Sequence, residues 1–147
     1  MGTSSKEGDE MIPKELDFIW RLNDYINTLD LFAWSDVGGL DEGDSISTLP
    51  MPGGDETIYM DGVRDKHYQV QINAKSQNQF NCIESLSKIA TTLENLQAND
   101  IESHNGTFEF ESIKITSLPN IIVYDEQGFF IYSLSISAKI TIYERVA

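Results

Sequence analysis

"FIYSLSISAKITI", residues 130–142, puts an apolar side chain at every second position: Phe130, Tyr132, Leu134, Ile136, Ala138, Ile140 and Ile142. From residue 133 on, Ser133, Ser135, Ser137, Lys139 and Thr141 alternate with them, all small or polar. A period of two is the signature of a strand with one face in a core and the other open. At ~3.3 Å per residue such a strand extends roughly 43 Å, long for a single domain. The expectation is therefore that it bends or pairs outside the monomer. Its small-residue face makes Ser133, Ser135 and Ser137 candidate subunit contacts.

Upstream, Asp125-Glu126-Gln127-Gly128 should turn the chain into this strand from a shorter run, Ile121 to Tyr124. Leu118-Pro119 breaks that run from an alternating stretch, Thr107 to Thr116. The alternation changes phase between Phe108/Phe110 and Ile113/Ile115, which a bulge near Glu111-Ser112 would explain. Asn105-Gly106 is a strong turn signal ahead of it.

Further back, Ser76 and Gln79 have capping-box spacing, and Phe80, Ile83, Leu86, Ala90 and Leu93 mark an amphipathic helix. A second alternating strand precedes it, with Tyr68, Val70, Ile72 and Ala74 on one face. Another helix is read over residues 12–30 from Leu16, Ile19, Leu22, Ile26 and Leu29, with Pro13 in its first turn and Glu15 and Asp17 at the positive end of its dipole. The apolar stretch Leu31 to Trp34 should pin its exit to the core. The order of helix, three strands, helix, three strands predicts an α+β domain, with a mainly antiparallel mixed sheet and two amphipathic helices on one face. Residues 1–11 read as a polar flexible leader and residues 12–147 as one domain.

Between the first helix and the second strand lies an acidic segment containing "LPMPGGDETIYMDG", residues 49–62. Ser45 to Leu49 and Thr57 to Met60 are short strand candidates, and Gly53-Gly54 would turn the chain between them as a projecting hairpin over residues 50–62. Pro52, Gly53, Gly54, Tyr59 and Asp61 are candidate subunit or partner contacts there. A phosphate loop would need a helix, a lysine and a hydroxyl after the glycines, whereas Asp55-Glu56 follows and would repel the ligand. Asp41-Glu42-Gly43-Asp44 lacks the spacing and terminal glutamate of a twelve-residue calcium loop. No cofactor and no metal site is predicted.

Composition narrows the function classes. The 147-residue chain carries 24 acidic and 10 basic side chains, for a formal charge of −14. It has no dense basic patch with which to displace counterions from nucleic acid. Its one cysteine, Cys82, permits no disulfide within the chain and falls on the apolar side of the second helix, as a buried structural thiol would. His67 and His104 have no nucleophile or carboxylate at suggestive spacing, and the sequon Asn105-Gly106-Thr107 is read as a turn. No stretch approaches the roughly 18 apolar residues of a membrane span.

Taken in order, the N-terminal helix, the acidic segment, Pro52-Gly53-Gly54, Tyr59-Met60-Asp61-Gly62, and Ile72-Asn73-Ala74-Lys75-Ser76 leading through Gln77 and Gln79 into a helix resemble the minor capsid and tail terminator proteins of long-tailed bacteriophages. The resemblance covers roughly Ile12 to Tyr143. It implies a non-enzymatic virion component that forms a ring, typically of six copies, capping the tail tube and docking to the head connector. It carries over no catalytic residue. DNA would pass through such a ring without specific binding, and an acidic lumen would suit that passage. Outside the resemblance, the composition also fits a small monomeric ligand- or cation-binding domain or enzyme.

Overall fold

The computed structural model of the chain describes residues 16–143. The expected leader, and the first helical turn with Pro13 and Glu15, lie outside the described residues. The elements run α1 (Phe18–Ile26), β1 (Ser35–Val37), β2 (Ser45–Met51), β3 (Glu56–Ile58), β4 (Arg64–Ser76), α2 (Gln79–Glu94), β5 (Phe108–Tyr124) and β6 (Phe130–Ile142). The sheet order is β1-β2-β4-β6-β5, with β3 beside β4. Among the described residues only the β1–β2 pair is parallel. This is the α+β domain that the hydrophobic periods imply.

Both helices pack into one core with the apolar face of the sheet. Phe18, Leu22 and Ile26 of α1 and Leu86, Ile89 and Leu93 of α2 join Val70, Ile72, Leu134, Ile136 and Ile140 of the central strands. The Phe18 ring meets Tyr68 and Phe108 edge-on, with centroids 5.1 and 5.2 Å away, a favoured aromatic geometry. The helix ends at Ile26, earlier than its periodicity suggests. Thr28 and Leu29 there donate to carbonyls only three residues back, and Asp30 turns left-handed at φ 59°. Leu31, Phe32 and Ala33 do reach the core, whereas Trp34 stays exposed.

The second helix is capped two residues later than expected. Ser76 closes β4, and Asn78 is the cap, its side chain accepting from Phe80 N–H. Cys82, Leu86, Ile89, Ala90 and Leu93 are buried as the stripe implies, whereas Phe80 and Ile83 at its start are exposed.

Strand β6 neither bends away nor pairs outside the chain. It is the central partner, matched to β4 without a break from Arg64↔Ile142 to Ser76↔Phe130 and flanked on its other side by β5. On that side β5 is the edge of the sheet; it merges the two expected runs into one 17-residue strand with four register shifts, one of them between Phe110 and Ser112 where the phase change had pointed. Pro119 is tolerated because an edge strand has one row of N–H groups without a ladder partner.

Nor does Gly53-Gly54 turn a hairpin. Strands β2 and β3 both pair antiparallel with β4, Ser45↔Lys75 to Met51↔Gln69 and then Glu56↔Lys66 to Ile58↔Arg64. They are two parts of one path along the same edge of β4. Residues 52–55 form the break between them, and the hairpin is β3–β4, closed by Tyr59 N–H donating to Val63 O at 2.8 Å.

Candidate assembly surfaces

The hairpin tip follows from its turn chemistry. Asp61 Oδ1 accepts from Val63 N–H at 3.1 Å, and Gly62 takes φ 89°, a conformation that side chains disfavour. Tyr59 is held by its hydroxyl, which donates to Asp65 Oδ2 at 2.8 Å, while Thr141 donates to Asp65 Oδ1 at 2.9 Å. The hydrogen bonds from Tyr59 and then Thr141 lower the Asp65 pKa, and the same bond raises that of Tyr59. Arg64 and Glu56 pair at 3.1 Å across the ladder. The tip is thus a stiffened platform that leaves Ile58, Tyr59 and Met60 in solvent, Met60 completely so.

Ser133, Ser135 and Ser137 lie on the sheet face away from the helices, opposite Asn73, Gln71 and Gln69 of β4. Gln69 Nε2 donates to Ser137 Oγ at 2.9 Å, and Ser133 is buried. Ser137 and Gly54 share a polar cleft of about 510 Å³, to which Lys114, Lys139 and His67 also contribute. Gly54 and Ser137 therefore come together, whereas Tyr59 and Asp61 sit apart at the hairpin tip. Glu111 pairs with Lys139 at 3.3 Å, both side chains being about half exposed.

A third surface escapes the sequence reading. At the end of β5, Leu118, Ile121, Ile122, Val123 and Tyr124 are all exposed. Exposure of four consecutive residues, 121–124, means that both faces of this strand end are uncovered. Tyr124 is supported from within the chain by Phe130, ring centroids 4.5 Å apart. The signal was present in the sequence: residues 118–124 carry no charge, and Pro119 marks an edge strand.

Other chemistry is sparse. Burial, followed by the nearby charge of Asp44, pushes the Cys82 thiol up to about 11, so it is protonated at neutral pH. Among the described residues, no group of three or more His, Cys, Asp or Glu side chains is placed to hold a metal ion, and no helix is long and apolar enough to cross a membrane.

Comparison with known proteins adds the family. No curated protein matches the sequence. Among solved structures, a chain from the virion of a native gene transfer agent particle is similar, with TM-score 0.45 and 8% identity, over 79% of this chain and 84% of that one. Residues 25–142 match the family described as bacteriophage tail terminator protein. That match runs from the last two residues of α1 to the last residue of β6, and so takes in every strand of the sheet. The chain belongs to the bacteriophage tail terminator protein family.

Proposed function

We propose that this protein is a non-enzymatic ring subunit that caps the tail tube of a long-tailed bacteriophage and docks the finished tail to the head connector. The family match over residues 25–142 carries this reading. Its partners would be further copies of itself, six to a ring, together with the tail tube protein and the head connector proteins. It would assemble in the host cytoplasm and reside in the neck of the virion. Exposed apolar surfaces on a folded acidic chain favour association with other protein surfaces.

DNA would traverse the ring without being gripped. The exposed carboxylates of Asp41, Glu42 and Asp44 suit a lumen that repels phosphates. Deleting the gene from the phage tests the reading. Free heads and tails of uncontrolled length, restored to joined particles by adding the purified chain, are the expected result; normal virions without the chain would overturn it.

A further inference from the structure

The two apolar surfaces lie at opposite corners of the sheet. Ile58 sits opposite Arg64, at the end of β4 that faces Ile142, whereas Tyr124 sits opposite Phe130, which faces Ser76 at the other end. Twelve residue steps along β4 separate these ends, about 40 Å at ~3.3 Å per residue. The hairpin lies on the β2 side of the sheet, and β5 is the far edge. One molecule therefore cannot bring its own hairpin tip to its own β5 end.

We propose that the end of β5, Leu118 and Ile121–Tyr124, receives the hairpin tip, Ile58–Met60, of a second copy of this chain. The proposal rests on the ring reading above and specifies its subunit contact. The ring reading makes the occupant a second copy, and charge narrows where that copy can approach. Copies bearing −14 each repel over most of their surface, and the uncharged run 118–124 is where two of them approach at least electrostatic cost. Shape supports it as well: Met60 projects fully into solvent and Ile58 is 68% exposed, while Leu118 and Tyr124 are 71% and 64% exposed. Each surface lacks the apolar cover that the other supplies. Because donor and acceptor patches differ, the contact is head-to-tail, and a head-to-tail contact closes into a ring when its rotation allows. A self-complementary patch would stop at a dimer.

Paired cysteines in the full-length chain provide the test. Met60→Cys with Ile122→Cys, and separately Ile58→Cys with Tyr124→Cys, are treated with a short bismaleimide linker at high protein concentration and on tail tubes. All four positions are exposed and Cys82 is buried, so folding and background linkage are checked against the parent chain. The expected result is a ladder of linked dimers, trimers and higher species from at least one double variant, and none from any single variant. Linked dimers from Ile122→Cys or Tyr124→Cys alone would overturn the proposal in favour of β5-to-β5 pairing. Rings visible in the electron microscope without a ladder from either pair would overturn this contact and leave the ring reading standing. Neither rings nor ladder would remove both.

Discussion

A Cβ built on Gly54 would lie 2.1 Å from the carbonyl oxygen of His67. The obstacle is backbone in the neighbouring β4, so it cannot rotate aside as a side chain would. This close approach lets the chain leave β2, skip residues 52–55 and rejoin the same edge as β3, where His67 N–H donates to Asp55 O at 2.9 Å.

Gly53 and Gly54 should therefore respond differently to substitution. Both have positive φ, 96° and 90°, but a Cβ on Gly53 meets open space. Gly53→Ala is expected to cost about 1–2 kcal/mol from the left-handed backbone alone. Gly54→Ala adds the clash and should cost clearly more, with loss of amide protection over β3. Equal losses in urea unfolding would show that β4 yields to the added methyl.

Asp17 should impose a pH dependence. Burial raises its pKa, but hydrogen bonds from Ser103 Oγ, His104 N–H, Thr107 Oγ1 and the Asn105 backbone outweigh that and leave it below the ordinary carboxylate value. The Ser103 and His104 bonds are 2.7 and 2.8 Å long, and they tie the loop before β5 to the start of α1. Asp17→Ala should cost about 1.5–3 kcal/mol at neutral pH. A group with a depressed folded pKa contributes stability that is full above its unfolded value, about 3.9, and that is lost as pH falls through the folded value. The gap between parent and variant should accordingly be full at neutral pH and shrink below about pH 4. A gap that stays constant down to the acid transition would contradict this.

Asn23 should hold β1 in place. Its Nδ2 donates to Ser35 O at 3.0 Å, and its Oδ1 accepts from Ser35 Oγ at 2.6 Å, inside the core beside Thr48. Asn23→Leu removes both of these bonds and leaves Ser35 to its remaining bonds with Asn27 and Thr48, a loss of about 1–3 kcal/mol. Hydrogen exchange should accelerate in Ser35–Val37 before it does in β4 or β6. Unchanged protection of β1 would place its stability in the β2 ladder instead.

Self-association should strengthen with salt. Repulsion between −14 chains is screened as the Debye length falls from about 10 Å at 0.1 M to about 3 Å at 1 M, while apolar contacts persist. Light scattering across that range should report a rising mass. Oligomers that dissolve at high salt would mean that ion pairs, rather than Ile58–Met60 and Ile121–Tyr124, make the contact.

Local pattern made the elements legible; partner choice was not local. The period of two over residues 130–142 located β6 to the residue, and the phase change at Glu111-Ser112 located a bulge, because both depend only on which side chains face the core. That β6 also lies beside β4 depends on pairings 54 residues (Ser76↔Phe130) to 78 residues (Arg64↔Ile142) apart, which no window contains. The same blindness made Gly53-Gly54 look like a hairpin turn, since two strands flanking a glycine pair ordinarily meet each other, whereas β2 and β3 both meet β4. Phe80 and Ile83 matched the helical stripe and yet stayed outside, because the sheet covers only part of α2. The exposed end of β5 was hidden for a related reason: the run Ile121–Tyr124 shows a strand but not which of its sides is covered.

The central claim is a place in the virion, and a reconstruction of the phage neck by electron cryomicroscopy tests it most directly. The account predicts this fold, repeated as a closed ring at the head-proximal end of the tail tube, with the hairpin tip around Met60 of each copy seated on the next. Finding the fold at the distal tip of the tail, or finding no copy in the neck, would contradict it.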